Sequence, residues 1–251
     1  MAAFDHVLVE IASGVATVTL NRPEKLNAFD RAMCDDAIAA LRQVTGSAHV
    51  RAVILTGTGR AFCAGADLGV LATEGESLVA AGKEIALLIR GAPQPVLAAV
   101  NGAAAGGGAN LALACDYRIA SESAQLGQVF HTLGLGQDWG GSYFLPRLVP
   151  PSTALELVWS ARMVPAAEAA SLGLFDRVVP DGRLLTEART LAAAWAAQPA
   201  LAVRRAKEGV YASPYRTLDQ MLDWEIAQQR ELFATAEARE RLAAQAARRR
   251  G

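Results

Sequence analysis

Two stretches of small residues follow apolar runs, and what each offers chemistry is backbone N–H groups. One is Ala61-Phe62-Cys63-Ala64-Gly65-Ala66-Asp67, after the apolar run 52–56. The other is Asn101-Gly102-Ala103-Ala104-Ala105-Gly106-Gly107-Gly108, after the run 96–100. Glycine and alanine let a ligand approach the main chain, and a helix opening at the triple glycine presents free N–H groups to negative charge. Two such groups aimed at one oxygen form an oxyanion hole. Close helix–strand packing accounts for the same glycines equally well. A third stretch, residues 131–143, carries Asp138 among apolar and small residues. Loss of hydration there raises the carboxyl pKa and makes a better base. The competing role for Asp138 is a turn or N-cap residue ahead of a helix over 141–149.

Other chemistry finds little support. Gly134-x-Gly136-x-x-x-Gly140 looks like a dinucleotide loop, but no ribose-binding acid follows a next strand. No phosphate loop is present, and Ser142 lies in no nucleophile elbow. His6, His49 and His131 are too scattered for a zinc motif, so no metal is expected. His131 reads as a satisfied, buried histidine at a strand end rather than a substrate-orienting one. Cys34, Cys63 and Cys115 form no CxxC pair and are odd in number, which suits a reducing, cytoplasmic setting. Cys63 has no neighbouring base and reads as packing. Glu74 and Glu84 read as exposed helix glutamates. The basic clusters Arg204-Arg205-x-Lys207 and Arg248-Arg249-Arg250 read as solvated helix faces.

The elements that must position these residues follow from patterning. The 251 residues are 52% hydrophobic and 20% charged, which suits one compact domain, with or without a small appendage, and excludes disorder as the main state. A net charge of −1 speaks against a nucleic-acid partner. The N-terminus lacks a basic segment followed by an apolar run, so no signal peptide is expected. Residues 91–115 contain no charge but include Pro93, Pro95, Asn101, Asn110 and five glycines. They read as strand, loop and buried helix, not as a membrane span. Strands over 7–10 and 15–20 flank Ser13-Gly14 as a hairpin. Met33, Ala37, Ile38, Leu41 and Val44 mark one helix; Leu78, Ala81, Ile85, Leu88 and Ile89 mark a second that ends near Gly91. Strands over 52–56, 96–100 and 117–120 alternate with these helices, which predicts an α/β fold with mostly parallel pairing. Beyond Gly141 only 178–179 reads as strand. Helices are expected over 184–197, 199–212, 217–233 and 238–249, so a boundary near 180–182 divides a core (1–180) from a helical region (181–251).

Three motifs together resemble the crotonase superfamily, the enoyl-CoA hydratase/isomerase family. They are Asn21-Arg22-Pro23-Glu24-Lys25-Leu26-Asn27-Ala28, Phe62-Cys63-Ala64-Gly65-Ala66-Asp67, and Pro95 to Gly102 followed by Gly106-Gly107-Gly108. Ala169-x-x-x-Gly173-Leu174-x-x-Arg177-Val178-Val179-Pro180 fits the later pattern. The resemblance implies a right-handed spiral of ββα units with a C-terminal helical region that forms a homotrimer or a dimer of trimers. It implies an acyl-CoA thioester as ligand, coenzyme A entering as part of the substrate and no prosthetic group. It places the oxyanion hole at the N–H groups of Ala66 and Gly107, and the coenzyme A site along Lys25, Leu26, Ala28, Ala64, Asp67 and Leu68. Residues 69–82 would shape the acyl pocket, and their glycines read as a mobile segment.

Departures from that pattern bear on the reaction. Hydratases of the family carry two glutamates, and here those positions are Asn110 and Phe130. Neither side chain activates water or delivers a proton, so standard hydration is not expected. Asp138 remains, at a position where isomerases of the family keep an acid. One carboxylate suffices to move a proton between two carbons, with Phe130 and Trp139 keeping the pocket dry. Residues 131–138 with Ser142-Tyr143 also resemble 4-chlorobenzoyl-CoA dehalogenase, where the matching aspartate is a nucleophile. That subgroup has a histidine on the helix before Pro95, and this chain has none there. Double-bond isomerisation ranks first, dehalogenase-like or other crotonase chemistry second, and a non-catalytic coenzyme A-binding scaffold third.

Overall fold

The computed structural model describes residues 4–248. The chain starts with the expected hairpin, β1 (Val7–Ala12) antiparallel to β2 (Val15–Leu20). Ser13 and Gly14 both take positive φ, 50° and 79°, the turn twist that two-residue hairpins favour. Helix α1 (Arg31–Thr45) begins where the Asp30 carboxylate accepts from the Met33 N–H, and it buries Met33, Cys34, Ala37, Ile38, Leu41 and Val44.

Two strand–strand–helix units and a third strand pair follow. They are β3 (Ala52–Gly57), β4 (Ala61–Cys63) and α2 (Leu68–Gly91); β5 (Val96–Val100), β6 (Ala103–Ala105) and α3 (Gly107–Ala114); and β7 (Tyr117–Ser121) with β8 (Gln125–Gly127). A 3-10 turn, Val129–Leu133, leads to α4 (Gly141–Leu148) and α5 (Pro151–Ser160). Then come β9 (Met163–Pro165), α6 (Ala166–Ser171) and β10 (Arg177–Val179). Helices α7 (Leu184–Ala196), α8 (Ala200–Ala212), α9 (Leu218–Phe233) and α10 (Ala236–Arg248) complete the described chain. The first strand of each unit joins a six-stranded sheet, β1-β2-β3-β5-β7-β10; the second joins a four-stranded sheet, β4-β6-β8-β9. All pairs are parallel except β1–β2 and β8–β9. These repeated strand–strand–helix units over two sheets are the architecture that the resemblance implies.

The strand sequences dictate how the large sheet is covered. β5 is apolar throughout, and β3 is apolar at its buried positions except Thr56, whose hydroxyl donates to the Ala99 carbonyl; strands packed on both faces read this way. Val53, Leu55, Val96, Ala98 and Val100 point into the main core with α1. Ala52, Ile54, Leu97 and Ala99 point the other way, onto Leu184, Ala188 and Ala192 of α7.

Several expectations need correction. Residues 69–82, read as a mobile segment, lie inside α2, which starts ten residues before its clear apolar periodicity. Gly82 is there because a side chain would collide with the Trp139 indole. β4 and β6 are short strands within the two small-residue stretches, and β9 adds a strand beyond Gly141. In the basic run on α8, Lys207 is largely enclosed rather than solvated: its Nζ lies 2.7 Å from Asp116 Oδ2 and donates to the carbonyls of Ile89 and Gln94. Tyr211 donates to the same carboxylate, and Arg90 stacks on the Tyr211 ring. These contacts fasten α8 to the core. Arg249 and Arg250, and the last residue of the helix expected over 238–249, lie outside the described residues. Among the described residues no helix is long and apolar enough to cross a membrane.

Candidate active site

The two small-residue stretches lie against each other. Gly65 has φ +93°, and a Cβ there would come within 2.9 Å of the Ala105 carbonyl. At Gly108 a Cβ would collide with Cys63, so α3 starts in direct contact with the end of β4. Phe29 donates to the Gly65 carbonyl and accepts from the Asp67 N–H, a parallel bridge opposite Ala66. In such a bridge the Ala66 N–H faces away from Phe29. Gly107 is the first residue of α3, and the leading N–H groups of a helix have no intrahelical partner. Neither the Ala66 nor the Gly107 N–H donates to a protein acceptor among the described residues. Both residues line one cavity of about 380 Å³.

Asp138 reaches the same cavity from a tight turn. Trp139 (φ +45°) and Gly140 (φ +87°) take successive left-handed conformations that reverse the chain into α4. The N-cap of α4 is Gly140, with no side-chain cap, so the Asp138 carboxyl is not a helix cap. Its Oδ1 is buried without a hydrogen-bond partner and lies 3.7 Å from the point a Cβ on Gly107 would occupy. Burial pushes the carboxyl up to about 6, because desolvation disfavours the charged form. Trp139 is held by an Nε1–H bond to the Leu78 carbonyl, 3.2 Å, and an edge contact on Phe29. Phe130, in the 3-10 turn, closes the wall over Gly106. Leu71, Leu78 and Val79 of α2 form the facing wall.

Of the remaining expected binding residues, Lys25, Ala28, Ala64, Asp67 and Leu68 line the cavity. Leu26 does not. It takes a left-handed φ of 53° and its carbonyl accepts from the Ala64 N–H, so it shapes the wall from behind. Asp67 is engaged: one oxygen caps α2 at Gly69 and the other pairs with Arg22 at 2.9 Å. The Gly69 N–H and Arg22 hold its carboxyl below the usual range. His131 is exposed in the 3-10 turn, not buried at a strand end. Glu74 and Glu84 do not line the cavity, and Glu84 pairs with Arg42. Burial pushes the Cys63 thiol up to about 12, which leaves it inert as a nucleophile at neutral pH.

Asn110 is fully buried. Its Nδ2 donates to the Asp138 main-chain carbonyl (2.8 Å), and its Oδ1 accepts from Gln128 Nε2 (2.9 Å). Gln128 in turn accepts from Gln137, and no motif in the sequence gives either glutamine a role. The one signal for Gln128 was an amide within an otherwise apolar stretch.

The comparisons give the class of protein that this fold and site define. The family model for enoyl-CoA hydratase/isomerase matches residues 10–250. A probable enoyl-CoA hydratase of Rhodobacter capsulatus is 42% identical over 242 residues, 95% of this chain and 93% of that one. The 1,2-epoxyphenylacetyl-CoA isomerase of Escherichia coli K12 is 36% identical over 248 residues, 96% of this chain and 95% of that one. The crystal structure of an enoyl-CoA hydratase from Bacillus anthracis superposes with a TM-score of 0.93 at 36% identity, covering 97% of both chains. The chain belongs to the enoyl-CoA hydratase/isomerase family.

Proposed function

We propose that the protein is an acyl-CoA isomerase that works through an enolate, with Asp138 as the proton shuttle. The thioester carbonyl accepts from the N–H groups of Ala66 and Gly107. The Asp138 carboxylate takes a proton from a carbon of the acyl chain, and the electron pair flows to the thioester oxygen. The resulting carboxylic acid returns the proton to a different carbon as the oxyanion collapses, so the double bond has moved and no atom is gained or lost. Two preorganised donors at the developing charge are worth several kcal/mol of barrier in a water-poor site.

The observation that carries this reading is the single desolvated carboxyl, Asp138, beside the start of α3, with an amide and a phenyl ring at the Asn110 and Phe130 positions. Neither of those groups activates water. The Escherichia coli relative named as an isomerase supports the choice, whereas the relatives named as hydratases support the alternative. That isomerase name also puts ring-bearing acyl groups on the substrate panel. Coenzyme A enters only as part of the substrate. Leu218, Leu222, Ile226 and Phe233 of α9 are exposed and apolar, which suits the homotrimer expected of the family; sedimentation equilibrium tests that.

The test is product mass. Purified protein and Asp138→Asn are incubated with 2-enoyl-, 3-enoyl- and arylacetyl-CoA. The proposal requires a product of unchanged mass that the variant does not form. A product heavier by one water, formed equally by the variant, refutes it. A covalent adduct of Asp138 with an aryl-CoA points to the dehalogenase-like alternative.

A further inference from the structure

Asp138 is placed by its main chain, and a chain of side-chain hydrogen bonds does the placing. A carbonyl oxygen can only accept, so Asn110 must present its Nδ2 to the Asp138 carbonyl (2.8 Å). That leaves Asn110 Oδ1 facing Gln128 Nε2 (2.9 Å). Gln128 Oε1 then accepts from Gln137 Nε2 (3.0 Å), and Gln137 Oε1 accepts from the Ser142 hydroxyl (3.1 Å). Each link forces the orientation of the next, and all donors point the same way.

The chain also closes on itself. Gln137 and Asp138 lead into the turn at Trp139-Gly140 and Ser142 stands just beyond it in the first turn of α4; Asn110 is on α3, and Gln128 is the residue that opens the 3-10 turn bearing Phe130. Asn110 and Gln128 are completely enclosed, and Gly141 packs so closely on the Asn110 amide that a methyl there would strike it. The left-handed residues Trp139 and Gly140 are thereby held between fixed points. None of the donors goes to the Asp138 carboxyl, whose Oδ1 stays without a partner.

Resting on the reading of Asp138 as the shuttle, we infer that Asn110, Gln128, Gln137 and Ser142 are positioning residues that aim the Asp138 carboxyl beside Gly107 without donating to it. Position comes from the main chain, and the carboxyl is left to face the cavity. A carboxylate at 110 or 137 only accepts, so it breaks the chain although its shape fits.

The experiment uses Gln137→Met, Gln137→Glu, Asn110→Asp and the double variant Asn110→Asp/Gln137→Met in the full-length protein. Gln137 is only half-buried, so its variants remain testable even where Asn110→Asp fails to fold. Two quantities are read: kcat and KM for isomerisation, and the titration midpoint of the Asp138 carboxyl from infrared spectra differenced against Asp138→Asn. Both Gln137 variants are expected to lose about tenfold in kcat and Asn110→Asp about a hundredfold, with KM within about twofold, the pattern of a misplaced catalytic group. The Asp138 midpoint shifts in each. The double variant is no worse than Asn110→Asp, since the chain is already cut. A merely space-filling role predicts that Gln137→Glu behaves as wild type; wild-type kcat and midpoint in both Gln137 variants overturn the inference. If Asp138→Asn retains full turnover, the shuttle reading is what has failed. The midpoint then decides alone: a shift supports the positioning chain and constancy refutes it.

Discussion

Replacing Asp138 by asparagine should make the protein more stable as it removes activity. The carboxyl rises from its ordinary 3.8 to about 6 through burial. The native state therefore holds the proton more tightly than the unfolded chain, and folding is penalised once the group ionises. The sign follows from linkage: the penalty is absent below 3.8, grows as pH rises, and is complete above 6. At 1.36 kcal/mol per pH unit it reaches at most about 3 kcal/mol; partial exposure of the side chain reduces this to roughly 1–3 kcal/mol. By pH 5 about half of it has gone. An asparagine keeps a similar shape and carries no charge, so its stability lacks this pH dependence. The assay is urea denaturation of both proteins between pH 5 and pH 8, with the oligomer concentration fixed. The stability gap should favour Asp138→Asn at pH 8 and narrow toward pH 5. A gap constant with pH, or one widening toward acid, refutes the claim that desolvation governs this carboxyl.

The pH–rate profile should carry the same group. With the carboxylate as base, kcat/KM falls about tenfold per pH unit below about 6, and that acid limb is absent from whatever residual activity Asp138→Asn keeps. Gly82→Ala places a methyl in the Trp139 indole; it should cost about 1–3 kcal/mol by thermal or urea denaturation and lower kcat through the displaced turn. Lys207→Met leaves the Asp116 carboxylate without its cation and should cost about 3 kcal/mol, with α8 becoming the first site cut in limited proteolysis.

Patterning shows some of this molecule and hides the rest for identifiable reasons. The hairpin is legible because Ser13-Gly14 admits the left-handed turn, and β3 and β5 are legible because strands covered on both faces read as nearly unbroken apolar runs. The strands β4, β6, β8 and β9 are three residues long, too short for any period to register. The start of α2 is masked by Gly69, Gly75 and Gly82, which lower helix propensity; what keeps Gly82 is Trp139, more than fifty residues away in sequence. Asp138 stands out as an acid in an apolar setting, and its raised pKa was expected on that ground. The role of Asn110 was not visible, because a side-chain amide declares its partner only in three dimensions. From sequence it registered as a missing glutamate, and from structure as the support of the Asp138 turn. His131 is exposed and Lys207 largely enclosed, each opposite to what the sequence suggests, since a single polar residue carries no pattern of its own.

The central claim is proton transfer to carbon by Asp138, and isotope uptake measures it directly. Wild type and Asp138→Asn are incubated in D2O with the enoyl- and arylacetyl-CoA panel, and the recovered thioesters are weighed by mass spectrometry. The account predicts deuterium on carbon in the wild-type reaction, no added water, and no label with Asp138→Asn. Label retained in full by Asp138→Asn, or no label from any thioester that demonstrably binds, would contradict it.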